Sequence, residues 1–408
     1  MLIERQFVAD VATHGKQRQM TGGIMERQIY LDHAATTQPA PEVIQQMLPW
    51  LAGRYGNPSA RYQLGQEAGR CIAGARKQVA ALIGADEEEV YFTSGGTESD
   101  NWVLRGCLSG RKDGKRHMIT TGIEHHAVLN TCAQLEREGV EVSYVMPDGE
   151  GRVDVRDIER EIREDTVLIS VMYANNEIGT MQPIREIGLL AAEYGIPFHT
   201  DAVQAVGHVP IDVKASGITW LSASAHKFHG PKGCGFLYMR KGHELPSLLH
   251  GGAQEKGFRA GTENVAGIAG MGAAARVCMA HMSGDQESIR RQRDYLIQKV
   301  ESSIPGARLN GHRRMRLPNN VNFSFSGLEG AALLLLLDQD GICVSSGAAC
   351  SASSGKGSHV LEAIGVPEEY QRGAVRMTLG PETTREELDY VVERLKEHIF
   401  QLREMTDA

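Results

Sequence analysis

The sequence predicts an α/β protein, with a large domain built on a mostly parallel seven-stranded sheet and a smaller α+β domain beside it. Two observations lead there. From Met25 onward short β-rich runs alternate with longer runs of helical period, the pattern of strand–crossover–strand units. After about residue 275 that alternation gives way to a charged helix, a lone strand and two further helices.

The elements follow in chain order. Residues 90–93, 117–121, 142–145, 167–172 and 198–200 read as buried strands, and 59–83, 98–109, 127–138 and 184–194 as the helices that cover them. Residues 220–223 and 235–238 flank the turn Gly230-Pro231-Lys232-Gly233 and read as an antiparallel pair that completes the sheet. In the second part the expected elements are a helix at 286–302, a strand at 320–326, a helix at 328–337 and a last helix at 385–403. No repeat or long linker separates the parts, so they are expected to pack closely with a ligand site between them.

Composition narrows the function. The 408 residues carry 43 basic and 51 acidic side chains, a net charge of −8, which speaks against direct nucleic acid binding. Seven cysteines form no CxxC pair and are too sparse for a disulfide framework, so a reducing, cytoplasmic setting is expected. The longest strongly apolar run, 331–337, is far short of a membrane span, and no membrane association is expected. Residues 1–24 mix charges without an apolar stretch and read as an extension before Met25.

The chemistry begins at His199-Thr200-Asp201-Ala202-Val203-Gln204, where a buried strand runs into a carboxylate at its C-terminal end, the edge where ligands of open α/β sheets gather. Taken alone, such an Asp is more often a cap for the next helix. Ser222-Ala223-Ser224-Ala225-His226-Lys227 changes that reading, because a lysine follows a strand and precedes the glycine turn. A lysine and an acid so placed suggest pyridoxal 5'-phosphate: the lysine forms the internal Schiff base, and the acid keeps the pyridine nitrogen protonated so that the ring accepts electrons. Phe92-Thr93-Ser94-Gly95-Gly96-Thr97-Glu98-Ser99 reads as strand, glycine turn and helix start, where backbone N–H groups, the helix dipole and the Thr97 hydroxyl can hold a phosphate.

With those segments in view, the chain from Met25 to its end resembles the cysteine desulfurases, in the class V aminotransferase branch of the pyridoxal-phosphate-dependent fold-type I superfamily. The resemblance is carried by Tyr30-Leu31-Asp32-His33-Ala34-Ala35-Thr36-Thr37, Gly56-Asn57-Pro58-Ser59, 93–101, Glu124-His125-His126-Ala127-Val128, Asn175-Asn176-Glu177-Ile178-Gly179, 199–204, 224–233, Arg259-Ala260-Gly261-Thr262-Glu263-Asn264 and Ser345-Ser346-Gly347-Ala348-Ala349-Cys350. It implies that Lys227 bears the cofactor, Asp201 partners the ring nitrogen, Gln204 the ring hydroxyl, and His125 stacks on the ring and serves acid–base steps. Gly96, Thr97, Ser224 and His226 would surround the phosphate, with Thr262 reaching it from the second subunit of a homodimer. Asn176 and Arg376 would hold the substrate carboxylate, the planar fork of Arg suiting both oxygens. Fold type I further implies a large domain over 37–275 and a small one over 25–36 and 276–408 that carries the cysteine loop.

Pyridoxal phosphate alone is compatible with transamination, decarboxylation, racemisation and elimination. Cys350 decides between them. It is framed by small residues that pack no core, unlike the setting of an inert buried thiol, whereas Cys71, Cys107, Cys132, Cys234, Cys278 and Cys343 read as structural. The resemblance then implies that L-cysteine displaces Lys227, that freed Lys227 removes the α-proton, and that the Cys350 thiolate takes the substrate's sulfur, leaving a persulfide and releasing alanine. An iron–sulfur scaffold or another acceptor protein would receive that sulfur. An aminotransferase is disfavoured by the loop cysteine and a non-enzymatic scaffold by the presence of Lys227, Asp201 and Cys350, while a preference for selenocysteine stays open. No metal-ligand constellation is found, since His125 and His126 are adjacent and His226 and His229 flank the lysine.

Overall fold

The computed structural model describes residues 28–110, 113–114, 116–346 and 357–406. The extension at 1–24 and Cys350 therefore lie outside the described residues. Strand β1 (Ile29–Tyr30) leads through the segment 31–40 to helices α1 (Pro41–Ala52) and α2 (Gln63–Leu82). Pro41 opens α1, where a missing N–H leaves no helical bond unmade. Then come β2 (Val90–Thr93), α3 (Gly96–Gly106), β3 (His117–Thr121), α4 (His126–Arg137), β4 (Glu141–Val145), α5 (Val155–Arg160), β5 (Thr166–Ser170), α6 (Ile184–Glu193), β6 (Phe198–Asp201), β7 (Trp220–Ser224) and β8 (Gly235–Met239).

Strands β2 to β8 form one sheet in the order β2-β8-β7-β6-β5-β3-β4. Every pairing is parallel except those of β8, which runs antiparallel to both β7 and β2. The expected seven-stranded, mostly parallel sheet is thus the one observed. Alternate residues of a strand enter opposite cores, as its two-residue period requires: Ile119, Ile169, Leu221 and Phe236 on one face, Met118, Leu168, Trp220 and Leu237 on the other. Because β4 and β5 lie on opposite sides of β3, winding reverses there and the C-terminal strand ends open a crevice.

The remaining elements are α7 (Val265–Ser303), β9 (Ala307–Leu309), β10 (Asn320–Phe325), α8 (Gly330–Gln339), β11 (Ile342–Cys343), α9 (His359–Ala363), α10 (Glu368–Gln371), β12 (Ala374–Thr378) and α11 (Arg385–Thr406). Strands β9, β10 and β12 make a small antiparallel sheet in the order β12-β10-β9, and β1 pairs in parallel with β11, Ile29 opposite Ile342. These elements share a second core that includes Leu31, Leu296, Val300, Phe323, Phe325, Ile342, Val375, Leu388 and Leu395.

Helix α7 departs most from the sequence reading, which began a helix only at 286. Its first half is rich in Gly and Ala, which hides the helical period, yet those small residues are what the packing needs. A Cβ at Gly270 would come within 2.7 Å of Met47 in α1, and one at Gly272 within 2.7 Å of Ala75 in α2. Residues 265–282 are long and apolar enough to cross a membrane by composition alone, and 61% of that stretch is buried inside the protein. Ile268, Met271 and Ala274 sit in the first core and Leu296 and Val300 in the second, so one helix threads both. Helices α1, α5, α9 and α10 and strands β9, β11 and β12 are additions to what the sequence suggested.

Candidate active site

The crevice is a cavity of about 710 Å³ at the C-terminal strand ends. Ten of the expected residues reach it. Gly96, Thr97, His125, Asn176, Asp201, Gln204, Ser224, His226, Lys227 and Arg376 line it; Thr262 is exposed and outside it in the single chain. Cys350 lies outside the described residues. A second cavity of about 540 Å³, walled by Ile44, Leu48, Met282, Ile289 and Leu379, holds none of the expected residues.

Asp201 ends β6, a strand buried along its whole length, so its carboxyl is carried to the floor of the cavity. Its Oδ1 accepts the Val203 N–H at 2.9 Å and so closes the turn after β6; no helix begins there for it to cap. Burial raises its pKa, and His125, the Val203 amide and Lys227 oppose that rise. A carboxyl so balanced is completed as an anion by a cation placed over it.

Lys227 closes a single 3₁₀ turn after β7, and its Nζ donates to the carbonyls of Ala34 at 2.6 Å and Ala35 at 2.8 Å. Gln204 Nε2 donates to the same Ala34 carbonyl at 2.9 Å. Segment 34–36 therefore bridges the cavity from the second core, a role that the sequence motif Tyr30 to Thr37 did not disclose. His226 accepts or donates at Nδ1 to the Thr36 hydroxyl at 3.2 Å, and burial followed by Lys227 and Lys232 lowers its pKa to about 4, leaving a neutral ring.

His125 caps α4: its Nδ1 accepts the Ala127 N–H at 3.1 Å, satisfying a first-turn donor that the helix leaves over. That bond puts the neutral ring's proton on Nε2. Burial chiefly holds the pKa of His125 below its usual value, with Asp201 pulling the other way and Lys227 and His126 adding to the fall.

At the other end, the turn 94–96 leads into α3, whose first residues Gly96 and Thr97 face the cavity. The turn is pinned by Glu98, which accepts the Ser94 N–H at 2.8 Å and forms a two-pronged ion pair with Arg259 at 2.9 and 3.1 Å. Glu98 and Arg259 were not singled out as site residues in the sequence. Gly96 is required by close approach, since a Cβ there would lie 2.4 Å from Val203 Cγ2. Gly96→Ala is expected to weaken pyridoxal phosphate binding about tenfold, in line with the roughly 1–3 kcal/mol of overpacking against a stiff valine. Titration of the apoprotein with the cofactor, followed by visible absorbance, checks it; unchanged affinity would refute the tight fit.

The residues present fit that cofactor at each of its ends: an amine for its aldehyde, a buried carboxyl for its ring nitrogen, an imidazole beside both, and a glycine turn with Ser224, His226 and Thr97 for its phosphate. Arg376 is buried on β12; its Nη2 donates to Asp32 at 2.7 Å and its Nη1 to the Asn176 carbonyl at 3.0 Å. Its Nε has no hydrogen-bond partner among the described residues. Asp32, 344 positions away in sequence, is another partner that local motifs did not reveal.

Two flanks of the cysteine segment are described, and both are tied to this site. Ser345 exchanges backbone hydrogen bonds with Arg376 at 3.1 and 2.6 Å. Ser358 caps α9 and donates to Glu177 Oε2 at 2.5 Å, next to Asn176. His359 follows, its Nε2 bonded to the Glu124 carbonyl at 3.1 Å and its ring edge-on to His126 at 4.8 Å.

Glu124 itself is fully buried, its Oε1 accepting from Thr121 Oγ1 at 2.7 Å and from the Met172 N–H at 2.9 Å. Burial raises its pKa from 4.5 to about 8, with the charge of Asp201 contributing. Between those values the folded chain holds a proton that the unfolded chain has lost. The site's contribution is therefore complete below pH 4.5, falls as pH rises and levels off above about 8. Glu124→Gln is expected to remove this fall, so that its Tm drops less than that of the parent between pH 5 and pH 8.5. Parallel Tm curves would show that Glu124 is ionised throughout.

The family model described as Aminotransferase class-V matches residues 29–391. The chain is 50% identical over 384 residues to a cysteine desulfurase IscS of Clostridium botulinum, covering 94% of this chain and 97% of that one. A solved NifS-like protein superposes with a TM-score of 0.87 at 36% identity, over 92% of this chain and all of that one. A solved structure of SspA in complex with cysteine does so at 0.77 and 36%, over 87% and 99%.

Proposed function

The chain belongs to the class V aminotransferase family, and from that premise we propose that it is a cysteine desulfurase, taking sulfur from L-cysteine onto Cys350 and releasing L-alanine. The observation that carries the reading is the convergence of Lys227, Asp201 and Arg376 in one cavity, with the flanks of the Cys350 segment bonded to two residues that line it, Ser345 to Arg376 and Ser358 to Glu177. The relative's name and the cysteine-bound SspA structure support the substrate.

Pyridoxal phosphate, when bound, supplies an electron sink joined to the substrate's amine. Lys227 Nζ would hold it and, once released, accept the α-proton of cysteine. Asp201 would hold the proton on the ring nitrogen by charge, and His125 Nε2 is the imidazole atom that can give a proton back. Arg376 and Asn176 would orient the substrate carboxylate, with Asp32 fixing the guanidinium so that little is lost in ordering it. Cys350 Sγ, as a thiolate, attacks the substrate's sulfur: an S–S bond forms, the C–S bond breaks, and its electron pair stays with the carbon that leaves as alanine.

Cys350 is five residues from Ser345, a covalent reach of at most roughly 18 Å, so the thiol is tethered near Arg376 and yet has length to meet an acceptor. We take the acceptor to be an iron–sulfur scaffold or another sulfur-accepting protein, in keeping with the IscS name of the relative. Thr262, exposed and three residues beyond the Arg259 that pairs with Glu98, favours a homodimer in which each chain completes its partner's site. Six cysteines free of disulfides among the described residues favour the cytoplasm.

The test uses the purified holoenzyme with L-cysteine and a thiol reductant. Sulfide and alanine in equal amounts are expected. Transfer of the amino group to an oxo acid, or alanine without sulfide, would overturn the reading.

A further inference from the structure

Beneath Asp201 lies a row of polar groups that the proposed reaction does not use. His199, two residues before Asp201 on β6, is fully buried with both ring nitrogens engaged: Nδ1 with Ser170 Oγ on β5 at 2.8 Å, and Nε2 with Ser222 Oγ on β7 at 3.0 Å. The row continues to Asp100 on α3, which faces the Ser222 hydroxyl and whose Oδ1 stands 3.6 Å from His199 Nε2. Asp100 is buried, lines the cavity, and its Oδ1 has no hydrogen-bond partner among the described residues.

An ionised carboxylate in that position would be expensive. It would lie in low dielectric, with Oδ1 unmatched by any donor among the described residues, and within the field of the Asp201 and Glu124 carboxyls. The groups that could offset the charge do not serve it: His199 is held neutral between two serines, its pKa pushed down to about 3 by burial, and Lys227 and His125 act on Asp201. A charge on Asp201 therefore works against a second one on Asp100.

We propose that Asp100 is a positioning residue: a neutral carboxylic acid that ends the uncharged row Ser170–His199–Ser222 and so leaves Asp201 as the one anion facing the ring nitrogen of the cofactor. The proposal rests on the reading that the cofactor's nitrogen lies over Asp201. It has a direct consequence, because a carboxamide has the shape and charge of a neutral acid. Asparagine should replace Asp100 freely, although it removes what would be a charge beside the reaction centre.

The experiment compares the parent holoenzyme with Asp100→Asn and Asp100→Leu. In infrared spectra at pH 8 the parent is expected to show the carbonyl stretch of a protonated carboxylic acid that Asp100→Asn lacks. The pH midpoint of the visible absorbance should stay within about half a unit in Asp100→Asn, whereas loss of a true anion would lower it by about one unit or more, since a nearby negative charge favours the protonated chromophore. Asp100→Leu, neutral but unable to meet Ser222, is expected to bind the cofactor at least about fivefold more weakly, with Asn restoring it, the scale of one lost buried hydrogen bond. A missing infrared band, a lowered midpoint, or an Asn variant that fails to fold would each overturn the proposal. A parent protein with no visible absorbance at all would instead overturn the cofactor reading beneath it.

Discussion

Replacing Cys350 with Ala is expected to abolish sulfide release from L-cysteine, by more than about 10³-fold, while the protein keeps its cofactor and its yellow colour; loss of a nucleophile typically has an effect of at least this size. Among the described cysteines, Cys107, Cys132, Cys234 and Cys278 are buried, and none of the six lines the cavity. Burial pushes the thiols of Cys132 and Cys278 up to about 12 and that of Cys234 to about 11, and it raises Cys71 as well, so these groups are poor sources of thiolate. Cys350 alone is bracketed by residues fixed at the site, Ser345 on Arg376 and Ser358 on Glu177. The variant should still bind cysteine and still change the visible spectrum, because Lys227, Asp201 and Arg376 are untouched. Full desulfurase activity in Cys350→Ala would place the nucleophile elsewhere and dissolve the proposed sulfur path.

What could be read in the sequence was whatever chemistry is local. Asp201 and Lys227 each announce themselves at the end of a strand, and the turn 94–96 announces a helix start, because strand ends and glycine turns have short-range signatures. The partners that complete the site come from far away and have none. Asp32 meets Arg376 across 344 positions, Arg259 meets Glu98 across 161, and the carbonyl of Ala34 receives both Gln204 and Lys227. Asp100 and Glu124 were inside quoted motifs yet passed as background, since an acid on a helix or turn ordinarily faces water and only the fold shows these two buried. The sheet was legible because its strands are short β-rich runs, each buried along its whole length except β4. The first half of helix α7 was not, because the Gly and Ala residues that let it lie against α1 and α2 erase the contrast on which periodicity depends.

Asp201→Asn separates the two demands that meet at the floor of the cavity. The amide oxygen can still accept the Val203 N–H, so the turn after β6 keeps its geometry and the strand stays in register. What is lost is the charge. In the apoprotein that charge is a liability, because burial already raises the pKa of Asp201 and the opposing pull of His125 and Lys227 is partial. The apo form of the variant is therefore expected to melt at the same temperature as the parent or higher. With pyridoxal phosphate the order reverses, since the anion that would hold the ring nitrogen protonated is gone. Cofactor should raise the Tm of the variant less than that of the parent, by the linkage between binding and stability, and kcat for sulfide release should fall by about 10²–10³, the scale of removing one preorganised electrostatic partner. Paired melting curves of apo and loaded protein, with sulfide assays on the same samples, read both effects. A variant with parental kcat would mean that the ring nitrogen is served by some other group; one that is destabilised in both forms would mean that Asp201 is structural and no more.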